Sequence, residues 1–540
     1  MGSPEVLIPV GGIHNGPFDD FMRQEMYGAI KVRYEAMGGE AFLGPIDRQE
    51  DGAWYFQRGS ALVYRVPAAV FEVHGAIYHK WIELGGLTYG VPSTDEMTTP
   101  DGVGRYNHFG KSASIYWTLD TGAFEVHGDI HKRWAKLGWE TGLGYPISDE
   151  LTAPDGIGRY NHFSKSASIY WTPETKAFEV MGAIRDKWAS LGWETGLGYP
   201  TTGEKPTLDG IGRYNHFSKS ASIHWSPSTG AFAVQGAIRD HWSGLGWETG
   251  LGYPVSDELT TADTVGRYNH FSKSASIYWT PATGAIDVQG AIRDKWAALG
   301  WEQSYLGYPT RGEEDFSEAG RASSFQHGEI YWWPEAGAID LKGVVFSFKG
   351  FHCFGETDNV DELSGSDEPY FLFTVVAAGV RTASRTPITE NVDAGGSFPR
   401  EIELYRGPPY GMILDATLME HDAGDPDRYR SDIEAALMAH HDIGVFALEH
   451  IPGVGPAISK IVDITLGPLM PSLAEAISDA LGFGDNRIGS SNFVLTGKQM
   501  VLLAARTADK SFKSLIFKIE TGLISGDGAS YKGYFTLSPA

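Results

Sequence analysis

Apolar side chains recur at helical spacing in a stretch that returns several times along the first two thirds of the chain. In the clearest copy, Ile184, Trp188 and Leu191 share one face of a predicted helix that starts at Gly182 and ends at Gly192. A polar segment and runs of alternating apolar and polar residues follow, and such runs indicate short strands joined as a hairpin. The pattern therefore predicts one amphipathic helix and three strands in each copy.

The copies are regularly spaced, which indicates a repeat protein. Six units span about residues 28–343 after an N-terminal extension of residues 1–27. One helix and three strands bury too little apolar surface alone, so neighbouring units must share a core. We expect a mainly β chain with short helices, in which six repeats close into a propeller-like ring because closure removes exposed sheet edges; an open solenoid is the alternative. The glycines that open and close the units are Gly28, Gly75, Gly128, Gly182, Gly236, Gly290 and Gly343.

A Leu-Gly-Tyr-Pro turn follows the helix in four units and carries a resemblance to a known family. With the Ser-Ile-Tyr-Trp strand and the Gly-x-Ile…Trp helix, these turns resemble the LGFP-repeat family over residues 28–343. Two turns depart from the pattern, Leu87-Thr-Tyr-Gly-Val-Pro92 and Leu43-Gly-Pro45. The resemblance implies a cell-wall-associated protein that attaches to glycan polymers, and thus action outside the cell. The four turns are Leu143–Pro146, Leu197–Pro200, Leu251–Pro254 and Leu306–Pro309.

Four units share an Arg-Tyr-Asn-His block on the first hairpin strand, followed by Phe and then by a turn lysine. The first and last units lose this block but keep Phe56 and Phe325. The phenylalanine is therefore interpreted as core, and the polar block as a surface site whose amide and imidazole bond sugar hydroxyls while the tyrosine stacks on a pyranose. The alternative is that Asn and His satisfy turn backbones. The predicted carbohydrate-binding residues are Tyr106, Asn107, His108, Lys111, Tyr160, Asn161, His162, Lys165, Tyr214, Asn215, His216, Lys219, Tyr268, Asn269, His270 and Lys273.

Two other sets of residues recur in the repeats, tryptophans in the helices and glutamates after the turns. The helix tryptophans are predicted to lie in the core, and the glutamates after each turn either cap the turn or accept sugar hydroxyls. The tryptophans are Trp134, Trp188, Trp242 and Trp296, and the glutamates are Glu96, Glu150, Glu204, Glu258 and Glu313.

After Gly343 the period stops, and residues 344–540 predict a β-sandwich with a helical insertion at about 428–482. The acidic loops, a Ser-Asp-x-Pro-Tyr strand and a late Asp-x-x-Ile-Gly resemble the calcium- and phospholipid-binding β-sandwich of protein kinase C and synaptotagmin. Ca²⁺ takes six to eight oxygen ligands, which carboxylates from separate loops supply. Calcium binding and a membrane contact are therefore expected; the alternative is that the acidic loops only keep the sandwich soluble. The predicted metal ligands are Asp361, Asp367, Asp422 and Asp485.

The charge and composition of the chain exclude some classes of binding partner. The 540 residues carry 68 acidic and 43 basic side chains, a net charge of −25, which repels phosphate backbones and argues against nucleic acid. The one cysteine excludes an internal disulfide. No signal peptide is visible at the start, and no apolar run is long enough to span a membrane, so a soluble chain is expected.

The sequence favours a multivalent, lectin-like protein that binds cell-wall or cell-surface glycans and carries a C-terminal effector or membrane-contact domain. No nucleophile elbow, phosphate loop or zinc-protease motif occurs, so we expect no enzyme. One alternative is a glycan-targeted, pore-forming toxin, because residues 451–470 are strongly apolar. The other alternative is a cell-wall hydrolase.

Overall fold

The computed structural model describes residues 17–50, 52–357, 367–378, 380–421, 425–439, 473, 476, 477, 486–508 and 519–540. The chain divides into two compact units, Met1–Asp257 and Glu258–Ala540.

Short helices in the first unit alternate with four-stranded antiparallel sheets whose strands follow in chain order. The helices are α1 (Pro17–Ala36), α2 (Gly39–Leu43), α3 (Gly75–Glu83), α4 (Gly128–Lys136), α5 (Trp139–Leu143), α6 (Gly182–Ser190), α7 (Trp193–Gly196), α8 (Gly236–Gly244) and α9 (Trp247–Gly250). The first two sheets are β1–β4 (Ile46–Glu50, Ala53–Phe56, Ser60–Arg65, Ala69–His74) and β5–β8 (Met97–Thr98, Arg105–Phe109, Ala113–Thr118, Gly122–His127). The next two are β9–β12 (Leu151–Thr152, Arg159–Phe163, Ala167–Thr172, Lys176–Met181) and β13–β16 (Lys205–Pro206, Arg213–Phe217, Ala221–Ser226, Gly230–Gln235).

Each repeat contains more elements than the sequence pattern predicts. The main helix and three strands are confirmed, for example in α6 and β14–β16. The helix is followed by a short second helix such as α7, and the sheet gains a two-residue outer strand such as β13. Both additions are too short to show a helical or an alternating pattern, so periodicity could not reveal them.

The main helix of a repeat lies between the sheet of the preceding repeat and its own sheet. In α6, the ring of Trp188 lies 4.7 Å from Tyr170 of the preceding sheet and 5.3 Å from Phe217 of the following sheet. Neighbouring repeats therefore share one core, as expected for repeats that are too small to fold alone. The predicted core residues are confirmed: Trp134, Trp188, Trp242 and Trp296 are fully buried, and Phe56 and Phe325 are buried as well.

The Leu-Gly-Tyr-Pro turn ties consecutive repeats together. Gly198 has a left-handed φ of 85°, and a Cβ there would lie 2.3 Å from Ser218 Oγ, so glycine is required. The hydroxyl of Tyr199 donates to Asp155 Oδ1 of the previous repeat at 2.6 Å. Although desolvation acts to raise the pKa of Asp155, this bond and the N–H of Ile157 lower it overall.

The second unit holds two further sheets of the repeat type and a pair of sheets that form a β-sandwich-like domain. The repeat elements are β17–β20 (Leu259–Thr260, Arg267–Phe271, Ala275–Thr280, Gly284–Gln289), α10 (Gly290–Leu299) and β21–β24 (Pro309–Phe316, Gly320–Phe325, Gly328–Trp333, Gly337–Leu341). The remaining strands are β25 (Val344–Gly355), β26 (Pro369–Ala377), β27 (Val380–Arg385), β28 (Ser397–Gly407), β29 (Met412–Glu420), β30 (Asn486–Leu495), β31 (Ile519–Glu520), β32 (Ile524–Gly526) and β33 (Ala529–Pro539).

The sandwich core is aromatic. One sheet has the order β28-β25-β33-β31, with β32 paired to β33, and the other has the order β27-β26-β29-β30. Phe348 of the first lies 4.8 Å from Phe373 of the second, ring to ring. Helix α11 (Pro426–Ala439) begins the predicted insertion, and α12 (Gly497–Ala508) is a helix that the sequence pattern missed.

Within the described residues, no sheet closes into a barrel or a propeller, and the closed ring stays a prediction. No described helix is both long enough and apolar enough to cross a membrane. The apolar segment 451–470 lies outside the described residues.

Candidate functional site

The asparagine of each polar block is a core residue that joins neighbouring repeats. Asn161 is fully buried, and its Nδ2 donates to the carbonyl oxygens of Glu125 and Ser148, both at 3.0 Å. Because strand side chains alternate between faces, Asn161 shares the inner face of β10 with Phe163. The expectation of an outward asparagine is therefore wrong, and the alternative of backbone satisfaction is correct for this residue. Asn107, Asn215 and Asn269 are equally buried.

The tyrosine and histidine of the block lie on the opposite face of the strand and are half-buried. The ring of Tyr160 lies 5.0 Å from that of His162, which lies 5.6 Å from Trp193 at the start of α7. We call such a group the aromatic cluster. It recurs with ring distances of 4.8–5.6 Å. The other clusters are Tyr106, His108 and Trp139; Tyr214, His216 and Trp247; and Tyr268, His270 and Trp301.

The cluster tryptophan has an unusual backbone. Trp193 has a φ of 53°, in the left-handed region that bulky side chains rarely adopt, and such conformations concentrate at binding sites. The same φ, within a few degrees, is found at Trp139, Trp247 and Trp301. These tryptophans are not among the predicted binding residues, although Gly-Trp-Glu follows the main helix in four units.

Burial and a nearby arginine keep the cluster histidine neutral, and a serine bonds its ring. Arg185 Nε donates to Ser168 Oγ at 2.7 Å, and Ser168 Oγ lies 2.7 Å from His162 Nδ1. If the serine hydroxyl donates to Nδ1, the neutral ring carries its proton on Nε2. Burial, with a smaller contribution from Arg185, lowers the pKa of His162 to about 4. The guanidinium also lies 5.1 Å from the Trp193 ring centre, so it fixes two members of the cluster.

The same arrangement holds His216 and His270, whose pKa values are also lowered to about 4 by burial and by the nearby arginine. In the earlier repeat, His131 replaces the arginine, and its Nε2 lies 2.7 Å from Ser114 Oγ, which bonds His108. Each cluster therefore offers aromatic faces and a neutral imidazole, a chemistry suited to an uncharged polyhydroxylated ring.

The turn lysines are exposed but engaged with backbone. Lys165 Nζ donates to the carbonyl of Thr141 at 2.7 Å, and Lys219 Nζ to that of Thr195 at 2.6 Å. Lys111 makes the same bond to Thr88, at 3.2 Å. They fasten the hairpin turn to the preceding loop. Lys273 is likewise exposed in the turn of its repeat.

The glutamates after the turns form ion pairs with basic residues on neighbouring strands. Glu150 Oε1 lies 2.9 Å from Arg159 Nε and 3.3 Å from His127 Nε2. Glu96 makes the equivalent contacts to Arg105 and His74. These carboxylates organise the sheet edge rather than capping a turn.

Of the predicted calcium ligands, Asp367 is described and is buried beneath internal hydrogen bonds. Its Oδ1 accepts from the backbone N–H and the hydroxyl of Thr357, at 3.0 and 2.7 Å, and its Oδ2 accepts from the Tyr531 hydroxyl at 2.5 Å. These bonds occupy both oxygens. Asp361, Asp422 and Asp485 lie outside the described residues, so calcium binding stays a prediction.

Comparison with known proteins identifies the repeats. The sequence profile of the LGFP repeat matches residues 90–142, 143–196, 197–250, 251–304 and 306–347. The first structural unit, with its short Leu43-Gly-Pro45 turn, is not matched. No curated protein matches the chain.

Solved structures are only weakly similar. A C2 domain of plant extended synaptotagmin 1 is 11% identical, with 37% of this chain and 95% of that chain covered and a TM-score of 0.18. The TCP10 domain of Danio rerio CPAP, in a mutant form, is 8% identical, with 53% and 95% covered and a TM-score of 0.15. The β-propeller domain of Myceliophteria thermophila Cps50 is 11% identical, with 53% and 80% covered and a TM-score of 0.09. These scores are too low to carry an argument.

Each of the first four matched ranges covers one copy of the turn, sheet and helices that repeat in the structure, and the fifth covers a turn and a sheet. Between residues 90 and 347, this chain consists of five LGFP repeats.

Proposed function

We propose that the chain is a multivalent carbohydrate-binding protein whose four aromatic clusters each contact one sugar ring of a glycan polymer. The observation that carries this proposal is the recurrence of a half-buried tyrosine, a neutral histidine and a left-handed tryptophan in four repeats. The aromatic faces would stack on the apolar face of a pyranose, and the histidine Nε2–H would donate to a hydroxyl.

Repetition makes weak contacts effective. A single sugar site of this kind binds at about mM concentration, which corresponds to about 4 kcal/mol. Several sites on one chain raise the apparent affinity for a polymer by about 100-fold or more, through effective concentration. We further propose that the repeats close into a ring and that the protein acts outside the cell, on cell-wall or cell-surface glycans.

The sandwich domain is proposed to serve as an effector or membrane-contact domain, with Ca²⁺ as its ion, and the protein is proposed to be a binding protein rather than an enzyme. Support for the last point comes from the repeat carboxylates. Those of Glu150 and Asp155 are committed to Arg159 and Tyr199. A net charge of −25 supports the exclusion of nucleic acid.

The test is a glycan array probed with the full chain and with a variant that carries His→Ala at 108, 162, 216 and 270. Wild type should bind a defined set of glycans, and the variant should lose that binding while its circular dichroism spectrum is unchanged. His352→Ala is the matched control, because this histidine also bonds a serine, Ser397 Oγ at 2.7 Å, but lies in the sandwich. Binding that survives the four changes would refute the proposed site.

A further inference from the structure

An aspartate after the Leu-Gly-Tyr-Pro turn forms the same two contacts in three repeats of the first unit. Asp149 Oδ1 accepts from the backbone N–H of Glu125 at 3.0 Å, and Oδ2 accepts from Lys80 Nζ at 3.0 Å. The carboxylate thus joins a strand edge to the basic residue of an earlier helix. Asp95 makes these contacts with Glu72 N and Arg33, and Asp257 makes them with Ala233 N and Lys187.

The repeat of residues 182–235 lacks this carboxylate, as the last repeat also does at Gly312, and it has a cavity at the same place. Gly203 replaces the aspartate, and an open cavity of about 260 Å³ is lined by Arg133, Phe178, Gly203, Glu204 and Lys205 together with two threonines. Arg133, at the helix position of Lys80, pairs with Glu179 Oε2 at 2.6 Å instead of with an aspartate.

A second substitution in the same repeat adds a cation at the cavity. Lys205 stands on the outer strand where other repeats have an exposed aliphatic side chain. Those residues are Met97, Leu151 and Leu259, each 42–43% exposed. The loss of a negative charge and the gain of a positive one therefore coincide in one repeat.

The charged side chains around the cavity include fewer carboxylates than basic groups. Where the aspartate is present, four carboxylates face three basic groups: Asp149, Glu83, Glu125 and Glu150 against Lys80, His127 and Arg159. Around the cavity, Glu179 and Glu204 face Arg133, Arg213 and Lys205. The pair between Arg213 and Glu204 is also looser, at 3.9 Å against 2.9 Å for Arg159 and Glu150. One more carboxylate would balance the site.

We propose that this cavity binds the carboxylate of an acidic sugar, such as a uronic acid, in place of the missing aspartate. The carboxylate would contact Arg133 and Lys205, and the sugar ring would lie over the open mouth beside Thr201 and Phe178. The volume suits one monosaccharide. The assignment of a sugar rests on the proposed glycan binding, whereas the assignment of a carboxylate depends only on the charged residues that line the cavity.

Calorimetric titration of the full chain with glucuronate, glucose and acetate tests the proposal. Glucuronate should bind about tenfold or more tightly than either glucose or acetate, because it alone offers both the charge and the ring. Acetate binding as tight as glucuronate binding would overturn the sugar assignment. Glucuronate binding no tighter than glucose binding would overturn the carboxylate site, and neither result would affect neutral-glycan binding at the aromatic clusters.

Variants locate the binding. Gly203→Asp supplies the missing carboxylate, and its Cβ would lie 2.2 Å from Glu179 Oε1 and 2.4 Å from Arg133 Nη2, so this ion pair must shift to admit it. It should weaken glucuronate binding about tenfold or more, and Lys205→Leu should weaken it in the same direction without touching the core. Unchanged affinity in both would overturn the proposal. The double change Asp149→Gly and Leu151→Lys should create a second site and raise the stoichiometry from one to two.

Discussion

At the scale of single residues, the charge state of the cluster histidines sets a pH dependence. Burial lowers the pKa of His162, His216 and His270 to about 4, whereas an unfolded histidine titrates near 6.5. Between these values the unfolded chain binds protons that the folded clusters do not. Stability must therefore fall as the pH decreases from about 6.5 to about 4.

We predict that the urea midpoint falls over this window and that a variant with His→Gln at 162, 216 and 270 shows a flatter profile. Aspartates such as Asp155, whose folded pKa is lowered, lose their contribution at still lower pH, so the comparison of variant with wild type isolates the histidines. Parallel profiles for the two proteins would contradict the assignment of neutral histidines.

The buried asparagines give a second prediction at this scale. Asn161→Ala leaves the buried carbonyl of Glu125 and the partly buried carbonyl of Ser148 without this donor. The free energy of unfolding should fall by roughly 2–4 kcal/mol, because each unsatisfied buried group costs about 1–3 kcal/mol. Chemical denaturation measures this. Asn161→Asp keeps the shape but points a carboxylate at two carbonyl oxygens, so it should be at least as destabilising; a change under about 0.5 kcal/mol for either variant would contradict the buried role.

Two sequence rules, comparison among repeats and the alternation of strand side chains, give different predictions for the polar block. Comparison among repeats separated Phe163 from its polar neighbours but treated Tyr160, Asn161 and His162 alike. Strand alternation would have placed Asn161 with Phe163 on the inner face and the other two on the opposite face. The left-handed backbone of Trp193 has no such signal, because it arises from how α6 and α7 meet.

At the scale of elements, the Leu-Gly-Tyr-Pro turn is the link whose geometry is most restrictive. Gly198→Ala must adopt a left-handed φ and place a Cβ 2.3 Å from Ser218 Oγ. Gly210 also has a left-handed φ, of 73°, but nothing lies within 4 Å of a Cβ there. Gly210→Ala should cost about 1–2 kcal/mol, and Gly198→Ala should cost clearly more. Thermal unfolding compares the two, and equal costs would mean that the turn relaxes freely.

The hydroxyl of the turn tyrosine makes a separate contribution. Tyr199→Phe keeps the ring and removes two bonds, the one that the hydroxyl donates to Asp155 Oδ1 and the one that it accepts from Gly158 N–H at 3.1 Å. The loss should be about 1.5–3 kcal/mol, as for hydrogen bonds to charged groups, and smaller at low pH, where Asp155 is protonated. Denaturation at neutral and at acidic pH measures both effects. An equal loss at both pH values would show that the charge of Asp155 is not involved.

Helices and strands whose apolar residues recur at regular spacing could be predicted from the sequence, and elements without such spacing could not. Ile184 and Trp188 marked α6, and the strand runs marked the sandwich sheets, whereas two-residue strands such as Lys205–Pro206 are too short for any period. Helix α12 was missed because its apolar run, Met500 to Ala504, sits between two strand patterns and was not separated from them.

At the scale of the whole molecule, repetition is the property that matters for function. Sites on one chain act together only on a ligand long enough to reach several of them, so polymers should bind much more tightly than monosaccharides. Gly203 and Lys205 occur together in one repeat, so the site proposed at this cavity should contribute once, without avidity.

Multivalent binding is tested most directly by measuring polysaccharide binding by a series of full-chain variants with His→Ala in one, two, three and all four clusters. Surface plasmon resonance on an immobilised cell-wall polysaccharide should show the apparent affinity falling severalfold with each cluster removed, down to background for the fourth. An affinity that stays constant through the series, or that is lost entirely with any first change, would contradict four equivalent sites acting together.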